Sequence, residues 1–296
     1  MIYLRLTVTM LLWGGTFVSG RMLSDVFDPI ITTFLRMTSA SIGALIMFCI
    51  VEKKFPKIQS QNLIHMFLLA LVGNISFNVF FFKGLHYIHA GRAALIVATT
   101  PLFVALFATL LGDKLTRNQI LGICLSFVGA TFVIANGHPS QIFQGSFGKG
   151  ELAITICVLS WSFYTLLSKN VLRLMNPLTA VFYTCAVASL ILLIPALKLG
   201  LVQSFHDAQL RDWVNIVYMS IGGNLIGGWC YYQGITKIGV SQAAIFMNLV
   251  PLFALLSGYL ILDETIALPV LFGGILILSG VTLTNLTKNR HKAHVQ

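Results

Sequence analysis

The sequence predicts an all-α, polytopic membrane protein of ten transmembrane helices in two inverted five-helix repeats, with both termini cytoplasmic. Three observations carry this expectation: an apolar composition poor in charge, ten apolar runs of spanning length, and a stretch that the chain writes twice. Hydrophobic residues make up 57% of the 296 and charged residues 9%, where a soluble domain would carry about a quarter charged. Mean hydropathy is +0.87. The net charge of +10 sits in short gaps between apolar runs, which is topology information rather than an anion-binding face. It argues against nucleic acid as a partner and for the lipid bilayer.

The repeated stretch runs from Gly84 to Thr116 and, shifted by 150 positions, lies over Gly234 to Ile266. Gly84, Ile88, Ala93, Ala94, Pro101, Leu102, Phe103, Leu106, Leu110 and Asp113 all match. Apolar composition repeats Leu, Ala and Ile by chance, but it does not put a glycine, a mid-segment proline and a terminal acid in one register. Upstream, Gly73 and Asn74 fall on Gly223 and Asn224. At a shift of 148, Trp13 meets Trp161, Arg21 meets Lys169 and Pro29 meets Pro177; at 151, Gly122 and Gly129 meet Gly273 and Gly280.

Runs of about 18 or more mainly apolar residues fall at roughly 4 to 23, 29 to 51, 63 to 83, 91 to 112, 118 to 136, 150 to 169, 178 to 198, 212 to 233, 241 to 262 and 268 to 286. Five lie in each copy, and an odd number of crossings makes the second copy enter the bilayer from the opposite face. With cytoplasmic termini the inner gaps hold Arg5, Lys53, Lys54, Lys57, Lys114, Arg117, Lys169, Arg173, Lys237, Lys288, Arg290 and Lys292. The outer gaps hold Arg21, Lys83, Arg92, Lys149, Lys198 and Arg211, so the excess of basic residues is inside. The expected organisation is a first repeat over 1–140, a linker over 141–149, a second repeat over 150–287 and a basic cytoplasmic tail over 288–296. The first run follows Arg5 directly and reads as a retained helix. Cys49, Cys124, Cys157, Cys185 and Cys230 lie in apolar runs without metal-like spacing and read as packing residues.

Candidate functional residues are the polar and kink-forming side chains at mid-span. Pro101 and Pro251 each remove a backbone donor, leaving the carbonyls of Val97 and Met247 without their usual partners. In lipid these carbonyls need protein or a wet cavity, and Thr99, Thr100 and Asn248 stand beside them. The kinks serve either packing or a ligand. Asn74 and Asn224 are repeat equivalents, and Asn78 lies one turn beyond Asn74; their amides bond either another helix or substrate. Arg36, seven residues after Pro29, is the one ionisable side chain clearly inside a predicted span, with no acid at matching depth. It either snorkels to the interface or meets the anionic part of a substrate.

Trp13 and Trp161 lie at mid-span rather than in an interfacial belt. With Tyr164, Tyr183, Trp229, Tyr231 and Tyr232 they either pack helices or line a pocket for a planar or amphipathic metabolite. Asp113 and Glu264 end helices four and nine; they either bind basic residues or water at opposite membrane faces or act in gating. His65, His86 and His89 read as solvated and lack metal-site spacing. No cofactor is called for: no metal cluster or Walker loop is present, so ATP is not used directly.

These motifs resemble the drug/metabolite transporter superfamily, specifically EamA-type ten-helix exporters. The likeness spans about residues 5 to 286 and rests on WGGTF from Trp13, Pro29 followed by Arg36, GLHYIHAGRAALI from Gly84, the mid-helix prolines, the acid after helix four and the Gly122 to Gly129 pattern. It implies a central cavity bounded by helices one to four and six to nine, with helices five and ten peripheral. It also implies export of amino acids, related metabolites or toxic compounds across a bacterial inner membrane. This chain departs in having Asp113 where the family usually shows Glu, and Asp263 ahead of Glu264. The expected function is secondary transport of a small organic solute by alternating access; the sequence leaves the oligomeric state open, and a monomer is compatible with it. The rivals are an intramembrane enzyme, which would need clustered acid, base or metal ligands, and a passive channel or scaffold.

Overall fold

The structure is a computed structural model that describes residues 2–51, 63–110, 116–134, 148–171, 175–238, 246–247 and 249–293. The described chain is helical apart from short turns. The elements are α1 (Ile2–Leu23), α2 (Pro29–Val51), α3 (Leu63–Leu69), a first π-helical segment (Ala70–Ser76), α4 (Phe77–Tyr87), α5 (Ala90–Val97), α6 (Thr100–Leu110), α7 (Arg117–Ile134), α8 (Lys149–Val171) and α9 (Pro177–Lys198). There follow α10 (Leu201–Asp207), α11 (Leu210–Val217), a second π-helical segment (Tyr218–Gly227), α12 (Gly228–Ile238), α13 (Leu249–Leu262) and α14 (Leu268–Ala293).

Local chemistry starts the equivalent helices in the same way. Asp28 accepts from the Ile30 N–H at 2.8 Å and Asn176 from the Leu178 N–H at 3.0 Å. Each caps a helix whose first residue is proline, where a missing N–H costs nothing. Among the described residues five helices are long and apolar enough to cross a membrane: Ile2–Leu23, Pro29–Ile50, Leu63–Tyr87, Lys149–Ser168 and Pro177–Lys198. Shorter apolar helices occupy the fourth, fifth, ninth and tenth predicted runs. The eighth forms one helical rod, α11 to α12, through its π segment. Leu190, Ile194, Phe127, Leu260 and Ile50 are among many large apolar side chains left exposed, as an outer surface bathed in lipid rather than water requires. This is a polytopic membrane protein.

Two pairs of equivalent helices, α2 with α9 and α7 with α14, pack against each other and run antiparallel. In the α7–α14 pair a Cβ on Gly129 would meet the Gly273 carbonyl at 2.6 Å, while one on Gly280 would collide with the Gly122 carbonyl. In the α2–α9 pair Thr38 bonds Ser189, and Phe48 meets Phe182 with ring centroids 6.3 Å apart. The early residue of one helix thus faces the late residue of its mate in both pairs. The remaining main pairings are α1 with α13, α4 with α8 and α1 with the second π segment.

Gly129→Val is expected to destabilise the protein, because the new side chain meets backbone atoms that cannot rotate away: Gly273 O, and Ile277 N at 2.8 Å. Overpacking of this kind costs about 1–3 kcal/mol. Thermal unfolding of the purified protein in detergent measures it, with the neighbouring exposed Val128→Ala as a control that should leave the midpoint unchanged.

Candidate functional site

Both π segments fall on the Gly–Asn pair that the duplication repeats, Gly73–Asn74 and Gly223–Asn224. A π turn widens the helix and takes carbonyls out of the regular ladder; side chains then answer them. The Trp13 indole N–H donates to Gly223 O at 2.9 Å, and Asn78 Nδ2 donates to Asn74 O at 2.7 Å. The second bond orients the Asn78 amide so that Oδ1 faces Arg36. Arg36 Nη1 donates to Asn78 Oδ1 at 2.7 Å, and Nη2 to Asn224 Oδ1 at 2.6 Å.

Arg36 is therefore held from both copies at once. It is 6% exposed, its Nε has no partner, and no carboxylate pairs with it among the described residues. It does not snorkel. Its equivalent in the second copy is Thr184, so the duplication left one cation on one side of a shared cavity. A second symmetric pair lies beside it: Asn74 Nδ2 approaches Cys185 Sγ and Asn224 Nδ2 approaches Met37 Sδ, both at 3.8 Å.

The cavity encloses about 160 Å³ and draws its lining from the spans built by α1 to α5, by α8 and α9, and from the second π segment to the start of α13. Among the described residues none comes from α7 or α14. Trp13 and Trp161, repeat equivalents, meet edge to face at 6.1 Å. Phe77, Phe81, Tyr164 and Tyr231 extend the aromatic wall through ring contacts of 5.0 to 5.7 Å. The Tyr164 and Tyr232 hydroxyls share a 2.6 Å hydrogen bond. Towards the end of the bundle where α5 begins, the lining stops at Phe17, Phe81 and Ala94; in the other direction it continues to Ser168 and Tyr232.

Beyond Phe17 and Phe81 the α5 end is closed by packing and by charge. Gly20 lies against Leu85 and Phe81, so that a Cβ there would meet Leu85 at 2.7 Å. Glu264 is 8% exposed and accepts from the N–H groups of Ala90 and Gly91 at 2.9 and 3.2 Å. This carboxylate on the positive end of α5 is a charge-assisted cap supplied by the other copy. His89 Nδ1 lies 3.6 Å from it. Gly258 leaves room for the carboxylate, since a Cβ there would meet Oε2 at 2.8 Å. Asp263, with φ of 52°, turns the chain back after α13.

The same end carries Arg92 against Glu151 at 2.9 Å, and Arg21 donating to the Leu85 and His86 carbonyls at 2.7 and 2.9 Å. His86 meets Asp25 at 2.7 Å. His86 and His89, expected to be merely solvated, thus each face an acid.

The predicted site residues divide into three groups. Trp13, Arg36, Asn74, Asn78, Trp161, Tyr164, Asn224, Tyr232 and Pro251 come together on the cavity. Thr99, Thr100 and Tyr183 do not. The Thr99 and Thr100 hydroxyls donate to Ile96 O and Val97 O at 2.7 and 2.6 Å and are buried away from the lining. The carbonyl that Pro101 orphans is thereby answered locally, and the fourth span breaks at Ala98–Thr99, ahead of the proline, rather than kinking at it. Tyr183 packs on Phe182 and the Met66–Leu69–Val171 cluster. Pro251 sits in the first turn of α13 rather than at mid-helix, and Met247 O accepts from the Val250 N–H at 3.0 Å. Asn248 and Asp113 lie outside the described residues.

Sequence reasoning missed Phe77, Phe81, Thr16 and Cys185 on the cavity, and Glu151 and Arg92 at its closed end. A signal existed for four of them. Phe77 and Phe81 continue the helical stripe of Gly73, Asn74 and Asn78, while Thr16 and Cys185 are the repeat mates of Tyr164 and Met37.

Comparison with known proteins agrees with this architecture. The profile of the EamA-like transporter family matches residues 1–135 and again 148–286. "Uncharacterized transporter YyaM" of Bacillus subtilis (strain 168) is 27% identical over 95% of this chain and 92% of its own length. The "Probable terminal-alkyne amino-acid exporter" of Streptantibioticus cattleyicolor is 25% identical over 95% and 92%. A solved crystal structure, 18% identical, superposes with a TM-score of 0.65 over 97% of each chain and shares the fold. With the profile matching both copies of the duplicated unit, the chain belongs to the EamA-like transporter family.

Proposed function

We propose that this transporter is a secondary carrier, working as an exporter, that moves a small organic metabolite such as an amino acid or an amphipathic compound across a bacterial inner membrane by alternating access. The observation that carries the reading is the seat of the cavity: it lies on the seam between the two copies, closed on the α5 side and continuing towards the other. The antiparallel packing of α2 with α9 and of α7 with α14 supports two five-span repeats inserted with opposite orientation. With both termini cytoplasmic, the α5 end faces outward and the cavity faces the cytoplasm. The cap of Glu264 on α5 and the Arg92–Glu151 pair then act as the outer gate. The relative named as an amino-acid exporter supports export of an amino-acid-like solute.

Counterflow in liposomes tests this reading. The purified protein is expected to drive saturable counterflow of a labelled solute, from a panel of amino acids and amphipathic metabolites, with no ATP present. Flux that neither saturates nor exchanges would identify a channel instead. Cysteines placed at the starts of α1 and α8 should react with impermeant reagents from opposite faces of the membrane, and labelling from one face overturns the inverted architecture.

A further inference from the structure

We infer that the cavity selects an organic carboxylate with a flat apolar body, Arg36 taking the carboxylate and the Trp13–Trp161 wall the body; the inference rests on the transporter reading of the same cavity. A guanidinium carries five N–H donors. Two of Arg36's are spent on Asn78 and Asn224, leaving three without a partner among the described residues, Nε–H among them. The two bonds also fix the plane of the group from opposite copies, so the donors left on Nη1 and Nη2 are held in one rigid plane, and a planar guanidinium suits a carboxylate.

The rest of the lining disfavours a cation. Among the described residues no Asp or Glu lines the cavity, so a cation meets one fixed positive charge and no counter-charge there. The hydroxyls of Thr16, Thr165, Ser168 and Thr184 all donate to carbonyls of their own helices. The Trp161 indole N–H is a further donor without a partner among the described residues, and the Trp161 ring touches Phe77, Tyr164 and Trp13. A cation held by two neutral amides, with donors to spare and no carboxylate beside it among the described residues, lacks an anion. Gly223 lets the second π segment approach α1 beside the guanidinium: a Cβ there would meet the Thr16 Cγ2 at 2.8 Å.

The probes are 3-phenylpropionate, 3-phenylpropylamine and 3-phenylpropanamide, which share a body and differ in charge. Each is titrated against the purified protein for thermal stabilisation in detergent, since a ligand that prefers the folded state raises the apparent midpoint. The carboxylate is expected to reach half-maximal stabilisation at a concentration at least tenfold below the amine and the amide. R36Q should erase that preference and R36K should retain preference over the amine. Trp161→Phe, which keeps an aromatic ring and removes the N–H, should weaken the carboxylate two- to tenfold more than it weakens the amide. Equal half-maximal concentrations in the wild type, no stabilisation by millimolar carboxylate, or an intact preference in R36Q would each overturn the inference. If R36Q does not fold, an unchanged carboxylate affinity in Trp161→Phe overturns it instead. Counterflow separates the two readings: carboxylate binding without counterflow refutes transport and leaves the anion site standing. Counterflow of the amine or amide without carboxylate preference does the reverse.

Discussion

Replacing Glu264 with glutamine is expected to open the α5 end of the bundle and expose the cavity on the side where it is now closed. Glu264 receives two backbone N–H groups of α5 from a position that is nearly buried. Hydrogen bonds to a charged group contribute about 1.5–3 kcal/mol, and the positive helix terminus adds to that. Glutamine keeps one acceptor oxygen, loses the charge and turns an NH₂ towards groups that only donate. A loss of about 1.5–3 kcal/mol from the closed state shifts the ratio of closed to open molecules roughly ten- to a hundredfold. Phe17→Cys, on the α5 side of the cavity, in a background without other cysteines, reports the shift through its reaction rate with an impermeant thiol reagent added outside. E264Q should raise that rate at least tenfold, whereas Asp207→Asn, an exposed acid bonded to Gln203, should leave it unchanged. An unaltered rate in E264Q would mean that this carboxylate only caps a helix.

The second large effect concerns Arg36 and its two amides. Asn78→Leu with Asn224→Leu removes both hydrogen-bond acceptors from a guanidinium that is 6% exposed. Stripping the partners from a buried charge costs about 3–5 kcal/mol, because the charge stays without compensation. Adding Arg36→Met to the double variant removes the charge and should return most of the stability, since an apolar side chain of similar length makes no polar demand. The triple variant should thus unfold at a higher temperature than the double one, in a detergent thermal melt. Additive losses, with the triple variant the least stable, would show that Arg36 is supported by something other than Asn78 and Asn224. Carboxylate recognition would be absent from the triple variant even where stability returns.

Both expectations rest on residues that the sequence singles out and on partners that it does not. Arg36 stands out because a permanent charge in an apolar run is rare and costly, and that is visible without coordinates. Its partners lie 42 and 188 positions away, and hydropathy carries no information on helix rotation. Lipid chains and neighbouring helices are equally apolar, so no apolar stripe marks which face turns inward, and only the rare polar residues such as Asn74 and Asn78 hint at it. Thr99 and Thr100 show the converse. Their place before Pro101 signals a need for hydroxyl donors, but that need is met within the helix, and both side chains are consumed there.

The π segments mark a further boundary of legibility. An extra residue in a helical turn shifts the facing register without altering composition, so neither segment is readable from hydropathy. The Gly–Asn pair repeated at both sites was the available trace. By itself the sequence determined the class of protein, the apolar runs, the duplication and the residues too polar for their depth. Each of these is a property of local composition or of self-similarity along the chain. Only the tertiary structure decided that the Trp13–Trp161 pair meets on the seam, that Asn78 and Asn224 hold Arg36 from opposite copies, and that Glu264 caps α5 across 174 positions. Those are hydrogen bonds and ring contacts between helices, fixed by rotation and register once the apolar helices compete for the same interior.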